Sequence, residues 1–164
     1  MLVGSLTPSS RPTLTAATNP EGALKSMNVA EQLNQAPLPF AGLMGVQFTR
    51  AEPGAVEATL EVRPELCTAG DILHGGAIMA FADTLGAVAT MLNLPEGAAG
   101  TTTLESKTNF LGGAPSGRTV HARCVPLHRG RSTQVWQTEL WIESDGERRK
   151  VAFVSQTQMV LVPR

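Results

Sequence analysis

Polar and apolar residues alternate most cleanly from Val56 to Arg63. Val56, Ala58, Leu60 and Val62 fall on one side, and Glu57, Thr59, Glu61 and Arg63 on the other. That period of two predicts a half-buried strand. A different pattern runs from Ala77 to Leu94, where apolar and small residues follow one another behind His74-Gly75-Gly76 and Asp83 is the one charge. A run of this length raises the question of a membrane span. A lone aspartate near its middle costs about 3 kcal/mol there. The pattern is better read as a buried helix of a soluble domain, closed by Pro95-Glu96-Gly97. Before it, Ala23 to Ala36 carries a loose stripe of Leu24, Met27, Val29, Ala30 and Leu33, which predicts a short helix ended by Pro37 and Pro39. A strand is expected over Leu43 to Arg50, a turn at Pro53-Gly54, and a loop from Pro64 to Leu73.

Four more strands are predicted behind the helix: Gly100 to Leu111, Thr119 to Leu127, Ser132 to Glu143 and Arg148 to Val162. Gly-Gly-Ala-Pro-Ser-Gly, His-Arg-Gly-Arg and the hairpin signal Asp145-Gly146 separate them. Two strands, one long helix and four strands predict an α+β domain, an antiparallel sheet around one central helix. Residues 1–22, rich in Ser, Thr, Pro, Ala and Gly, read as a disordered N-terminal arm, and 23–164 as a single domain. One curved sheet covers only one side of so apolar a helix, so a partner subunit is expected on the remainder.

Composition narrows the function. The chain of 164 residues is 42% hydrophobic and 16% charged, with a net charge of −1. That excludes a large basic surface for nucleic acid. The two cysteines, Cys67 and Cys124, form no CxxC pair, which fits a reducing cytoplasm. His74, His121 and His128 show no metal-ligand spacing. No signal-peptide pattern opens the chain. There is no GxSxG elbow and no GxGxxG loop.

The candidate chemistry lies on the central helix. A helix that starts at His74-Gly75-Gly76 offers free N–H groups and a partial positive charge, and glycine lets a ligand come close. This suits a carbonyl that becomes tetrahedral, although Gly-Gly also suits a bare loop-to-helix turn. Asp83 suits either a reacting carboxylate or one bonded to a backbone group or the Thr84 hydroxyl. Together the two fit an acyl-transfer pair. Gly75 and Asp83 lie eight residues apart, roughly 12 Å along the axis, too far to serve one carbonyl. Two antiparallel helices from neighbouring subunits would set Gly75 of one opposite Asp83 of the other. Arg129, Arg131, Ser132 and Thr133, in a turn before a strand, suit phosphate binding or a plain solvated hairpin.

His74-Gly75-Gly76-Ala77 followed by Ala82-Asp83, within the β-β-α-β-β-β-β order over about residues 40–162, resembles the hotdog-fold acyl-CoA thioesterases, in the branch of the phenylacetyl-CoA and 4-hydroxybenzoyl-CoA enzymes. The resemblance implies a sheet wrapped around a central helix, homodimers that pair into homotetramers, and an active site at the dimer interface. It implies hydrolysis of a small aromatic or medium-chain acyl-CoA, coenzyme A being part of the substrate and no separate cofactor being needed. In that reading Gly75 donates its N–H to the thioester carbonyl, with Gly76 beside it, and His74 shapes the loop. Asp83 is the nucleophile or the general base. Thr68 stands where the family often has Asn or Gln, and Ala87 where some members have Thr or Ser. Thr68, Thr84 and Asp71 are the candidate substitutes for the water-positioning group. Asn109 and Lys107 fall near the acyl or pantetheine channel, and the Arg129 turn falls near the nucleotide. The alternatives are a non-catalytic acyl-CoA-binding hotdog protein and, further off, a hotdog hydratase or dehydratase.

Overall fold

In a computed structural model, which describes residues 27–163, the proposed arm at 1–22 lies outside the described residues. Helix α1, Val29–Gln35, starts where Asn28 and Glu31 cap each other. The Asn28 Oδ1 accepts the Glu31 N–H at 2.9 Å, and the Glu31 carboxylate accepts the Asn28 N–H at 3.0 Å. Pro39, expected to end this helix, begins another: α2 is Pro39–Met44 and closes on Gly45 at φ +81°. Proline lacks only an N–H that the first helical turn leaves unused, so it suits that position. The strand expected from Leu43 therefore begins later, as β1, Gln47–Glu52, followed by β2, Ala55–Glu61.

The expected loop from Pro64 holds a small hairpin, β3 (Cys67–Thr68) with β4 (Ile72–Leu73). The central helix α3 is Gly75–Met91, and β5 (Gly100–Phe110), β6 (Thr119–Arg129), β7 (Thr133–Ser144) and β8 (Glu147–Leu161) follow. The large sheet is antiparallel in the order β1-β2-β6-β7-β8-β5. This is the predicted architecture, with one short helix more at its start.

The sheet curls around α3. Phe81, Ala82 and Leu85 are wholly buried against Val56, Trp136 and Val154 of the inner face. Burying each large apolar side chain contributes about 1.5–3 kcal/mol. Enclosure is incomplete along one stripe: Gly76, Met79 and Met91 are exposed, and Ala80, Asp83 and Ala87 half-buried. These positions recur every three or four residues, so they share one face of the helix. The free edge of β5 lies beside that face. Among the described residues no strand pairs with its outer side. No helix among the described residues is long and apolar enough to cross a membrane.

Polar groups fix the far end of α3. The Asn93 amide donates to the carbonyls of Ala89 (2.8 Å) and Pro53 (3.0 Å), and its own backbone carbonyl accepts from Gln134 (2.8 Å). Thr90 donates to the Gly86 carbonyl at 2.9 Å and accepts the buried Trp136 indole N–H at 2.8 Å. The other tryptophan, Trp141, stacks on His121 with ring centres 5.6 Å apart, and the Arg148 guanidinium sits 4.5 Å from its ring centre.

Two outcomes follow for stability. Thr90→Val leaves the buried Trp136 N–H without its acceptor and costs about 1–3 kcal/mol, read from the midpoint of urea unfolding. Burial pushes the Cys124 thiol up to about 12 from the ordinary 9.0, partly offset by the Thr138 hydroxyl. The folded state thus holds this proton more tightly than the unfolded chain does, so stability falls as pH rises from 9.0 to about 12. A Cys124→Val variant shows a shallower alkaline loss in the same unfolding experiment.

Candidate active site

The start of α3 is built by one side chain. His74 has extended backbone, φ −61° and ψ 137°, and its Nδ1 accepts the Gly76 N–H at 2.8 Å. That ring nitrogen carries no proton, which assigns the neutral tautomer as Nε2–H. The Ala77 and Ile78 N–H groups donate to the His74 carbonyl. Of the first helical N–H groups, the one on Gly75 has no partner among the described residues. The free donor is therefore Gly75, whereas the N–H of Gly76 is already engaged by His74.

Two clefts flank this tip. One, of about 320 Å³, is lined by Thr68, Ile72, Leu73, Gly75, Ile78 and Phe110, with Gly112 and Gly113 forming a smooth wall. A Cβ on Gly75 would lie 3.2 Å from the exposed Phe110 ring, which would have to move a few tenths of an ångström to admit it. The other, of about 310 Å³, lies between α2 and the tip, with walls from Phe40, Leu43, Met44, Leu66 and Ala77 and polar groups from Glu65, Cys67 and His74. Thr68, Gly75 and His74 thus come together at the helix start.

Asp83 sits two turns further on. Its Oδ1 accepts the Thr103 hydroxyl at 2.7 Å and lies 3.4 Å from the donating Gln156 amide. Thr84, the neighbour considered as its partner, instead donates to the Ala80 carbonyl at 2.8 Å. Neither Thr103 nor Gln156 stands out in the sequence. The available signal was the alternation of β8, where Gln156 and Gln158 occupy inward positions between Val154 and Val160, all buried. A polar pair in an apolar register points to a polar partner inside.

The remaining candidates lie elsewhere in the monomer. Asn109 pairs with Phe153 and Lys107 with Ser155 across β5 and β8. Phe153 lines a hollow on the sheet face away from α3 together with Arg123 and Glu139, so Asn109 and Lys107 share that outer face. Arg129 donates to Asn93 Oδ1 at 3.0 Å, which puts its turn at the C-terminal end of α3, the end opposite Gly75. Arg131 and Ser132 are exposed, and Thr133 begins β7. Asp71 holds a tight turn at φ +54° and accepts the Ser116 N–H on its carbonyl. Among the described residues, no cluster of three or more His, Cys, Asp or Glu is placed to hold a metal.

Residues 70–148 match the thioesterase superfamily. The chain is 35% identical over 104 residues to the 1,4-dihydroxy-2-naphthoyl-CoA hydrolase of Escherichia coli, an alignment covering 63% of this chain and 75% of that protein. It is 36% identical over 100 residues to the proofreading thioesterase EntH of Klebsiella pneumoniae, covering 61% and 72%. Among solved structures, thioesterase HI1161 of Haemophilus influenzae superposes with a TM-score of 0.74 at 30% identity, over 84% of this chain and 94% of that one.

The cap separates two roles of His74. His74→Ala removes the side-chain acceptor and costs about 0.5–2 kcal/mol, whereas His74→Ser restores a capping oxygen and most of that stability. Thermal unfolding of the two variants reads the difference.

Proposed function

The chain belongs to the thioesterase superfamily and is a hydrolase of acyl-CoA-like thioesters; we propose that its active site forms between two copies, Gly75 of one facing Asp83 of the other. The carrying observation is that the unpartnered Gly75 N–H and the Asp83 carboxylate sit on one helix, roughly 12 Å apart along the axis. A two-fold axis that sets residue 75 opposite residue 83 passes beside residue 79. Met79 lies on the open stripe and is 40% exposed, an apolar side chain ready to meet its own copy. The unpaired edge of β5 would meet the same strand of the second copy, removing a free edge. Two such dimers would build a homotetramer.

In this site the thioester carbonyl oxygen accepts the Gly75 N–H, and the partial charge of the helix start offsets the negative charge that develops there. Thr68 lines the same cleft and offers a hydroxyl to the carbonyl or the water. Asp83 works by one of two routes. As a general base it takes a proton from water as the water oxygen bonds to the carbonyl carbon. As a nucleophile it attacks that carbon directly and forms an anhydride, which water then opens. In both, the C–S bond breaks and the thiolate leaves. Hydrolysis in oxygen-labelled water during a single turnover tells them apart, because label enters Asp83 only through the anhydride.

Arg129 supports the coenzyme end of this reading. It is anchored to Asn93, ten residues beyond Asp83, or roughly 15 Å along the helix direction. An extended pantetheine arm bridges that span, with the phosphates at Arg129, Arg131, Ser132 and Thr133. The apolar walls from Phe40, Leu43, Met44 and Phe110 favour a small aromatic or medium-chain acyl group. The naphthoyl substrate in the name of the Escherichia coli relative agrees with an aromatic one.

Subunit mixing tests the shared site. Gly75→Pro removes the N–H but keeps a residue suited to the first helical position, and the extended backbone of His74 tolerates a following proline. Gly75→Pro and Asp83→Asn are each inactive in thiol release from a panel of aromatic and medium-chain acyl-CoAs. Reassembled together they regain about a quarter of wild-type activity, because half the dimers then hold one intact site. No recovery in verified heterodimers refutes the shared site.

A further inference from the structure

Two hydrogen bonds run in one direction and end on a single oxygen of Asp83. The Gln158 amide donates to Thr103 Oγ1 at 2.8 Å, and the Thr103 hydroxyl donates to Asp83 Oδ1 at 2.7 Å; the single proton of the Thr101 hydroxyl has two acceptors in reach, Gln158 Oε1 and the Met159 carbonyl, each at 2.9 Å. The Thr103 hydroxyl has one proton. Because Gln158 supplies a donor to its oxygen, that proton is turned toward Asp83. Gln158 is fully buried, and its position in β8 is set by pairing with Thr103 across the sheet.

A second donor reaches the same oxygen. The Gln156 Nε2 lies 3.4 Å from Asp83 Oδ1, and Gln156 is itself fully buried. Its Oε1 has no partner among the described residues. An amide turned the other way would put that oxygen against the carboxylate, so the charge of Asp83 selects the orientation. Gly86 makes the slot, since a Cβ there would overlap the Gln156 amide. Asp83 Oδ2 accepts no hydrogen bond among the described residues and belongs to the open stripe of α3.

We infer that Thr103, Gln156 and Gln158 are positioning residues that lock Asp83 Oδ1, so that Oδ2 is the oxygen which meets water or the thioester. The inference rests on Asp83 being the reacting carboxylate. A carboxylate held through one oxygen has less freedom to turn, and the lone pairs of the other oxygen are left for the reacting atom. Nothing in this arrangement holds the acyl group or the coenzyme, so loss of a donor slows the reaction without weakening binding.

The experiment compares Thr103→Val, Thr103→Ser, Gln158→Met and Asp83→Asn in the full chain, with benzoyl-CoA or the best substrate of the acyl-CoA panel. Thr103→Val keeps the shape and removes the hydroxyl. It lowers kcat on the order of 10–100-fold with KM near the wild-type value. Thr103→Ser restores kcat, and Gln158→Met, one bond further along, lowers it by less than Thr103→Val at the same KM. Wild-type kcat in Thr103→Val, with Asp83→Asn inactive, overturns the positioning role and leaves the carboxylate in place. Turnover by Asp83→Asn at the wild-type rate overturns the underlying reading instead. A loss in Thr103→Val that appears in KM alone, or that Thr103→Ser does not rescue, also overturns the positioning role.

Discussion

The long helix is too apolar for water, yet the sheet that wraps it cannot close. Everything at the candidate site depends on that mismatch. Phe81, Leu85 and Ala82 hold α3 against the inner face, and the uncovered stripe runs through Met79, Asp83 and Ala87. A carboxylate on the covered side would have to be desolvated at a cost of several kcal/mol. On the stripe it stays half-solvated in one chain, and the proposed second copy would enclose it. In the proposed dimer, burial of the helix and assembly of the site would share one driving force.

The helix start shows the same economy. Of the four N–H groups that a helix start leaves unpaired, the one on Gly76 goes to the His74 ring, the one on Ala77 to the His74 carbonyl and the one on His74 to the Leu66 carbonyl. Gly75 keeps the remainder, beneath the half-exposed ring of Phe110 and between two apolar clefts. Histidine here acts first as a cap, and glycine provides access where a side chain would crowd it. The chemical consequence is a single directed N–H rather than a diffuse positive end.

Much of this was legible in residue order. The clean alternation over Val56–Arg63 and the near-continuous apolar run over Ala77–Leu94 place β2 and α3 to within a few residues. Asp83 and Gly75 stand out because a charge and a glycine pair interrupt an apolar helix. Helix α2 was hidden because Pro39 reads equally as a stop and as a first helical residue. The partners of Asp83 were hidden for another reason. Thr103 is one of three consecutive threonines in β5, whose faces only pairing with β8 distinguishes. Gln156 and Gln158 carry a sequence signal, but it names an inward polar face and not its target. Long-range contacts of this kind follow from register, and register is set by the whole sheet.

Asn93 clamps the C-terminal end of α3 to the β1–β2 turn through Pro53, to β7 through Gln134 and to the β6–β7 turn through Arg129. One asparagine, through its side chain and its backbone carbonyl, therefore fixes Arg129 at a rigid helix end, ten residues beyond Asp83. An arginine on a free loop would meet its ligand at many distances; Arg129, tied to a rigid helix end, keeps a set separation from Asp83. In the proposed site, a ligand whose anionic head and reactive carbonyl are separated by the wrong spacer would then fail on length alone, before its acyl group is ever inspected.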